Sequence, residues 1–187
     1  MPEISEKPKK LSKQELNKKF LEGLGDVVAW SSEDEGAAPL LIDISTPNGA
    51  ELRLRVYLYN LTNPPGGRAA DEYKAQIILP GQKKKEKGNL DYSDGRLPLL
   101  AAYAQDDGDG VFVLWDATRH DQISFSSNIQ VKSDAILMAT YKKLVCSKRT
   151  NNETIVSVRP MYLYEGIKRR LEIMKEQVLE AIKNASE

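Results

Sequence analysis

Apolar residues recur with a helical period at both ends of the chain and with a shorter, strand-like period between them. Ser12-Lys13-Gln14-Glu15 has the form of a capping box, in which serine and glutamate satisfy each other's backbone donors. Leu16, Phe20, Leu24, Val27 and Val28 follow at helical spacing and predict an amphipathic helix to about Trp30. Ser31 to Gly36 reads as an acidic turn, Leu40 to Thr46 as a strand, and Pro47-Asn48-Gly49 as a tight hairpin turn. Glu51 to Leu61 alternates strictly. Leu52, Leu54, Val56 and Leu58 fall on one side and Arg53, Arg55, Tyr57 and Tyr59 on the other, predicting one core face and one aromatic, basic face.

Asn63-Pro64-Pro65-Gly66-Gly67 breaks that ladder, and Glu72 to Leu79 resumes a strand. Pro80 to Pro98 is a polar loop containing Lys83, Lys84, Lys85, Glu86 and Lys87. Leu99 to Ala104 and Val111 to Asp116 form an expected hairpin, followed by a short strand near Ser127 to Val131 and a helix from Ser133 to about Leu144. Thr154 to Arg159 is the last expected strand. Leu163, Ile167, Leu171, Met174, Val178 and Ile182 mark a long C-terminal amphipathic helix. Several short strands with three helices predict an α+β fold, mostly antiparallel, in the form of a partly open β-barrel flanked by N-terminal and C-terminal helices.

Composition narrows the chemistry. The chain has 187 residues, one cysteine (Cys146) and one histidine (His120), which excludes an intrachain disulfide and any metal centre built from cysteine or histidine clusters. No apolar run is long enough to span a bilayer, and the N-terminus lacks signal-peptide character, so a cytoplasmic protein without membrane contact is expected. Net charge is zero, yet unevenly spread. Phe20 to Glu51 holds seven acids and no lysine or arginine, whereas Leu52 to Gln105 holds nine bases against five acids. Phosphate binding depends on such local charge rather than on the net value.

Several motifs have both a chemical and a structural reading. Glu72-Tyr73-Lys74 matches the E-x-K half of a metal-dependent nuclease signature, but it can equally be a charge pair on an edge strand, and a second carboxylate would have to come from Asp43 or Glu51. Asp107-Gly108-Asp109-Gly110 lacks the closing glutamate of a calcium loop and reads as a turn. The lysine run is either solvated or a clamp on a nucleic-acid backbone. His120 has no accompanying nucleophile motif. In Trp115-Asp116, the carboxylate can accept a hydrogen bond from a cytosine amino group and the ring can stack on an extruded base. Alternatively, Trp115 packs the end of the sheet and Asp116 caps the next turn.

Arg55-Val-Tyr-Leu-Tyr-Asn-Leu-Thr62, Arg68-Ala-Ala-Asp-Glu-Tyr-Lys-Ala-Gln-Ile77, Val111-Phe-Val-Leu-Trp-Asp-Ala-Thr-Arg-His120, Ser126-Ser-Asn-Ile-Gln-Val131 and Arg159-Pro-Met-Tyr-Leu163 together resemble the DNA-recognition regions of bacterial restriction endonucleases. The likeness is to the modification-dependent MspJI and AspBHI group, whose recognition domain is similar to the SRA 5-methylcytosine-binding fold. It implies a base pocket with Asp116 or Asp71 on the cytosine edge and Tyr73 or Trp115 as a stacking wall, and Glu72 is counted with that pocket. It also implies groove or phosphate contacts from Arg68, Arg119, His120, Ser126, Ser127, Asn128 and Gln130, and the basic residues Lys74, Lys83, Lys84 and Lys85 are expected DNA contacts beside them. The implied partners are double-stranded DNA and a fused or separate nuclease or translocase effector, with no cofactor, no metal and no catalysis in this chain. The expected organisation is a basic leader over 1–11, a recognition domain over 12–163 and a helix over 164–187 that leads to the effector. A small PD-(D/E)XK-type nuclease using Glu72 and Lys74, and a protein-interaction adaptor, are the alternatives.

Overall fold

The computed structural model describes residues 9–32, 36–63, 71–105 and 108–186. The capping box forms as the sequence predicts: Ser12 Oγ accepts from the Glu15 N–H and Glu15 Oε2 from the Ser12 N–H at 2.7 Å, starting α1 (Lys13–Leu24). Gly25, at φ 59, ends this helix before Trp30, and the chain enters β1 (Val28–Ser31). There follow β2 (Leu40–Ser45), β3 (Glu51–Leu61), β4 (Glu72–Ile77), β5 (Lys87–Gly88), β6 (Leu97–Ala104), β7 (Val111–Trp115), β8 (Ile123–Ser124) and β9 (Ser127–Lys132). The chain closes with α2 (Ser133–Tyr141), β10 (Leu144–Lys148), β11 (Thr154–Val158) and α3 (Leu163–Ala185).

Seven strands form one mixed sheet in the order β1-β2-β3-β6-β7-β11-β10, with β3 and β6 parallel and all other neighbours antiparallel. The fold is α+β with three α-helices among the described residues, and its large sheet is open rather than closed into a barrel. On one face, α1 and α3 pack Phe20, Leu163 and Ile167 onto Ile42, Val56, Phe112 and Val158, with Phe20 edge-on to Phe112 at 5.3 Å. Gly166 permits that approach: a Cβ there would stand 2.7 Å from Val158 Cγ1. None of these helices is long and apolar enough to cross a membrane.

The opposite face is covered as well, and this corrects the reading of β3. Ala75 and Ile77 of β4, Ile129 and Val131 of β9, and Ala135 and Ala139 of α2 close a second core over Tyr57, Tyr59, Ala102, Val113 and Trp115. Tyr57 and Tyr59 are therefore 5% and 8% exposed rather than displayed on an aromatic surface. Each hydroxyl is satisfied, Tyr57 by accepting from the Asp91 N–H at 3.0 Å and Tyr59 by donating to the Ile78 carbonyl at 3.1 Å, which makes their burial tolerable. Arg55 is buried beside them and pairs with Asp91 at 3.0 Å. A second difference lies after α2, which stops at Tyr141, so that Leu144 begins an edge strand instead of ending a helix.

Candidate nucleic-acid interface

Two segments fifty residues apart in sequence meet as an antiparallel ribbon. In the register of β4 and β9, Glu72 lies opposite Lys132, Lys74 opposite Gln130 and Gln76 opposite Asn128. The N–H and C=O of Lys74 bond to Thr62 at the end of β3, at 2.9 and 3.0 Å, and so point away from β9. Lys74 and Gln130 are consequently a non-hydrogen-bonded pair, the kind whose side chains stand closest. The same holds for the other two pairs, because side-chain direction and pair type share a period of two. Ala75, Ile77, Ile129 and Val131 face the core, leaving Glu72, Lys74, Gln76, Asn128, Gln130 and Lys132 on the outer face.

The ribbon is tied down from beneath and at one end. Trp115, 0% exposed, donates its indole N–H to the Gln130 carbonyl at 3.2 Å, using the backbone direction that faces away from β4. At the other end, β5 pairs with β8, and Gln82 Nε2 donates to the carbonyls of Ile123 (2.8 Å) and Glu86 (3.0 Å). The Phe125 N–H donates to the Glu86 carbonyl at 3.2 Å. Lys83, Lys84 and Lys85, all exposed, are thus held beside the turn that leads into β9. In that turn Ser126, at φ 62, receives a hydrogen bond from Gln76, and Ser127 Oγ donates to the Ser124 carbonyl at 2.6 Å.

The structure thus gathers Glu72, Lys74, Ser126, Ser127, Asn128, Gln130 and the lysine loop into one region. Tyr73 turns inward against the second core and lines a cleft of about 190 Å³ with Thr62, Asn63 and Gln105. Asp71 and Glu72 both contact Lys132, at 3.1 and 3.3 Å, so the two carboxylates at this end of the ribbon share one lysine. Of the two carboxylates that could have joined Glu72 in a nuclease site, Asp43 pairs instead with Arg96 at 2.8 Å on the main sheet, and Glu51 stands opposite Ser45 on the same sheet. Among the described residues, no group of three or more acidic, histidine or cysteine side chains is placed to hold a metal ion. Arg68 lies outside the described residues.

Trp115 and Asp116, expected at a base pocket, are both interior. Asp116 is 1% exposed and caps the next turn by accepting from Thr118 N–H at 3.0 Å and Thr118 Oγ1 at 2.6 Å. Its second oxygen faces the guanidinium groups of Arg119 and the buried Arg170, each at 3.8 Å. Arg119 also donates to the Asn151 carbonyl at 2.9 Å, and His120 Nε2 lies 2.8 Å from Glu153 Oε1. Burial would raise the Glu153 carboxyl, but hydrogen bonding and charge from His120, the Asp116 N–H and Arg149 hold it below its ordinary value. Arg119, which is exposed, and His120, which is half-buried, therefore border a network of buried Asp116, Glu153 and Arg170 that ties the end of β7 to the β10–β11 turn.

Sequence reasoning missed Gln76 and Lys132 of the outer face. Both lie two residues from named candidates on strands of period two, so the alternation itself could have found them. No curated protein and no solved structure matches the chain closely enough to support an argument. A family model, described as methylase-associated, does match, over nearly the same stretch that resembles restriction-enzyme recognition regions, and this description hints at a restriction–modification context. With residues 52–167 matched, the chain belongs to the methylase-associated X1 family.

Proposed function

We propose that the chain is a DNA-recognition module of a restriction–modification system, reading duplex DNA with the outer face of the β4–β9 ribbon. A two-stranded ribbon fits the major groove, which is about 12 Å wide, and six residues per strand span about 20 Å along it. Gln76, Asn128 and Gln130 have the amide groups that pair bidentately with adenine N6 and N7, and Lys74 suits the guanine acceptors N7 and O6. Lys83, Lys84 and Lys85 would meet phosphates beside the groove, where charge fixes position without reading sequence. The single observation that supports this most strongly is the conjunction of three amides and a lysine, exposed or half-buried, on the outer face of one ribbon with a lysine loop tethered at its end.

A 5-methyl group on cytosine projects into the same groove, so modified cytosine is within the ribbon's reach without extrusion of the base. In this reading Trp115 positions the ribbon rather than stacking on a base. Fluorescence anisotropy against unmodified duplex, 5-methylcytosine duplex and the matching single strand, with and without magnesium, tests the proposal. The expected result is duplex-preferring, salt-sensitive binding that needs no magnesium. Equal affinity for the single strand, or magnesium-dependent nicking lost in Lys74→Ala, would overturn it.

A further inference from the structure

The open edge of the main sheet at β10 is regular, with no bulge and no proline. The Arg149 N–H donates to the Glu153 carbonyl at 2.9 Å and the Arg159 N–H to the Lys143 carbonyl at 3.4 Å, which sets the pairing phase with β11. Val145 and Ser147 direct their backbone groups to β11, whereas Leu144, Cys146 and Lys148 direct theirs outward, where no described residue meets them. At the other edge β1 is shorter, and its register shifts between Val28 and Trp30, which spoils it for pairing.

The chemistry of this edge selects its occupant. Outward N–H and C=O groups recur at every second residue, about 6.8 Å apart, and a partner must offer acceptors and donors at that spacing. A polypeptide backbone does so, while a polyphosphate offers only acceptors. A second copy pairing antiparallel about Cys146 would set Lys143 opposite Arg149, and like charges directly opposite are unfavourable. Lys142, Lys143 and Lys148 are exposed along the strand and favour an acidic partner. On the adjoining helix α2, Leu137 and Tyr141 are 58% and 80% exposed, available to the apolar side chains of an added strand.

We propose that β10 is a docking edge for an extended, acidic segment of a partner protein, which adds to the sheet as a further antiparallel strand. This rests on the fold and is independent of DNA reading at the ribbon. The probe is a short fluorescein-labelled peptide of alternating glutamate and valine. Its controls are the same peptide N-methylated at alternate backbone nitrogens and a lysine–valine counterpart.

The glutamate–valine peptide is expected to bind and to slow amide exchange at Leu144, Cys146 and Lys148 about tenfold or more, leaving Val145 and Ser147 unchanged. The N-methylated peptide should not bind, and the lysine–valine peptide should bind at least about tenfold more weakly. Cys146→Pro removes an outward N–H that the sheet does not use, together with the exposed thiol's contact with Arg169, so it should melt close to the parent, bind duplex DNA like the parent and lose the peptide. Exchange in the parent decides the matter even if that variant fails to fold. Unaltered exchange with saturating peptide, equal binding of the N-methylated peptide, protection by duplex DNA instead, or protection that grows with protein concentration alone would each overturn the proposal.

Discussion

The indole N–H of Trp115 donates to the carbonyl of Gln130 at 3.2 Å, joining the centre of the main sheet to the strand whose outward side chains form the candidate DNA-reading face. A residue at the end of β7 thereby fixes the height and tilt of β9. Trp115→Phe keeps an aromatic ring in the core but leaves that carbonyl without its donor, at a cost of about 1 kcal/mol. We expect faster amide exchange in β9 than in the parent, and DNA affinity reduced several-fold with its salt dependence intact. Unaltered exchange across Ser127–Lys132 would show that the indole does not seat the ribbon.

The lysine loop makes a separable contribution. In a variant combining Lys83→Ala, Lys84→Ala and Lys85→Ala, the slope of log affinity against log salt should fall by about one unit for each phosphate that is no longer neutralised. All sequences should weaken alike. A parental slope and affinity would mean that the loop is solvated only.

Much of the architecture is legible in the sequence because its causes are local. The capping box at Ser12, the period of α3 and the runs that become β6 and β7 each depend on near neighbours. The two-sided burial of β3 is not legible. An alternation of leucines with arginines and tyrosines looks the same whether the polar side meets water or, as here, a ribbon closed over it from residues 72–77 and 127–132. The site divides in the same way. The polar composition of Lys74, Asn128 and Gln130 is plain in the sequence, but their cross-strand pairing is a long-range event. Trp115 and Asp116 show the converse, since a dense polar cluster at a strand end can face a ligand or an internal ionic network. Here the fold supplies Arg170 and Glu153 from far along the chain.

That network gives an acid-sensitive element of stability. The Glu153 carboxyl is held below its ordinary value of 4.5, so its contribution is fully present above that pH and is lost as pH falls through the lower, folded-state value. Glu153→Gln should cost about 3 kcal/mol at neutral pH, because the buried Arg170 and the neighbouring Arg149 lose a counter-charge. The difference from the parent should narrow on acidification below 4.5. A gap that stays constant from neutral to acidic pH would contradict this assignment.

At Gly166, where an added Cβ would meet the buried Val158 at 2.7 Å, alanine should lower stability by about 1–3 kcal/mol despite its better helix propensity. Thermal melting decides the sign. A stabilised Gly166→Ala would mean that α3 can lift from the sheet at little cost.

The most direct test of DNA reading by the ribbon is a comparison of binding across a panel of duplexes for the parent and for Gln76→Ala, Asn128→Ala and Gln130→Ala combined. Each bidentate amide–adenine pair discriminates by about 1–3 kcal/mol, so the combined variant should lose about tenfold or more of the parent's preference among duplexes. Its folding and its salt slope should remain those of the parent, since the lysine loop is untouched. A variant that retains the parent's full sequence preference, or a parent that binds no duplex, would contradict the account.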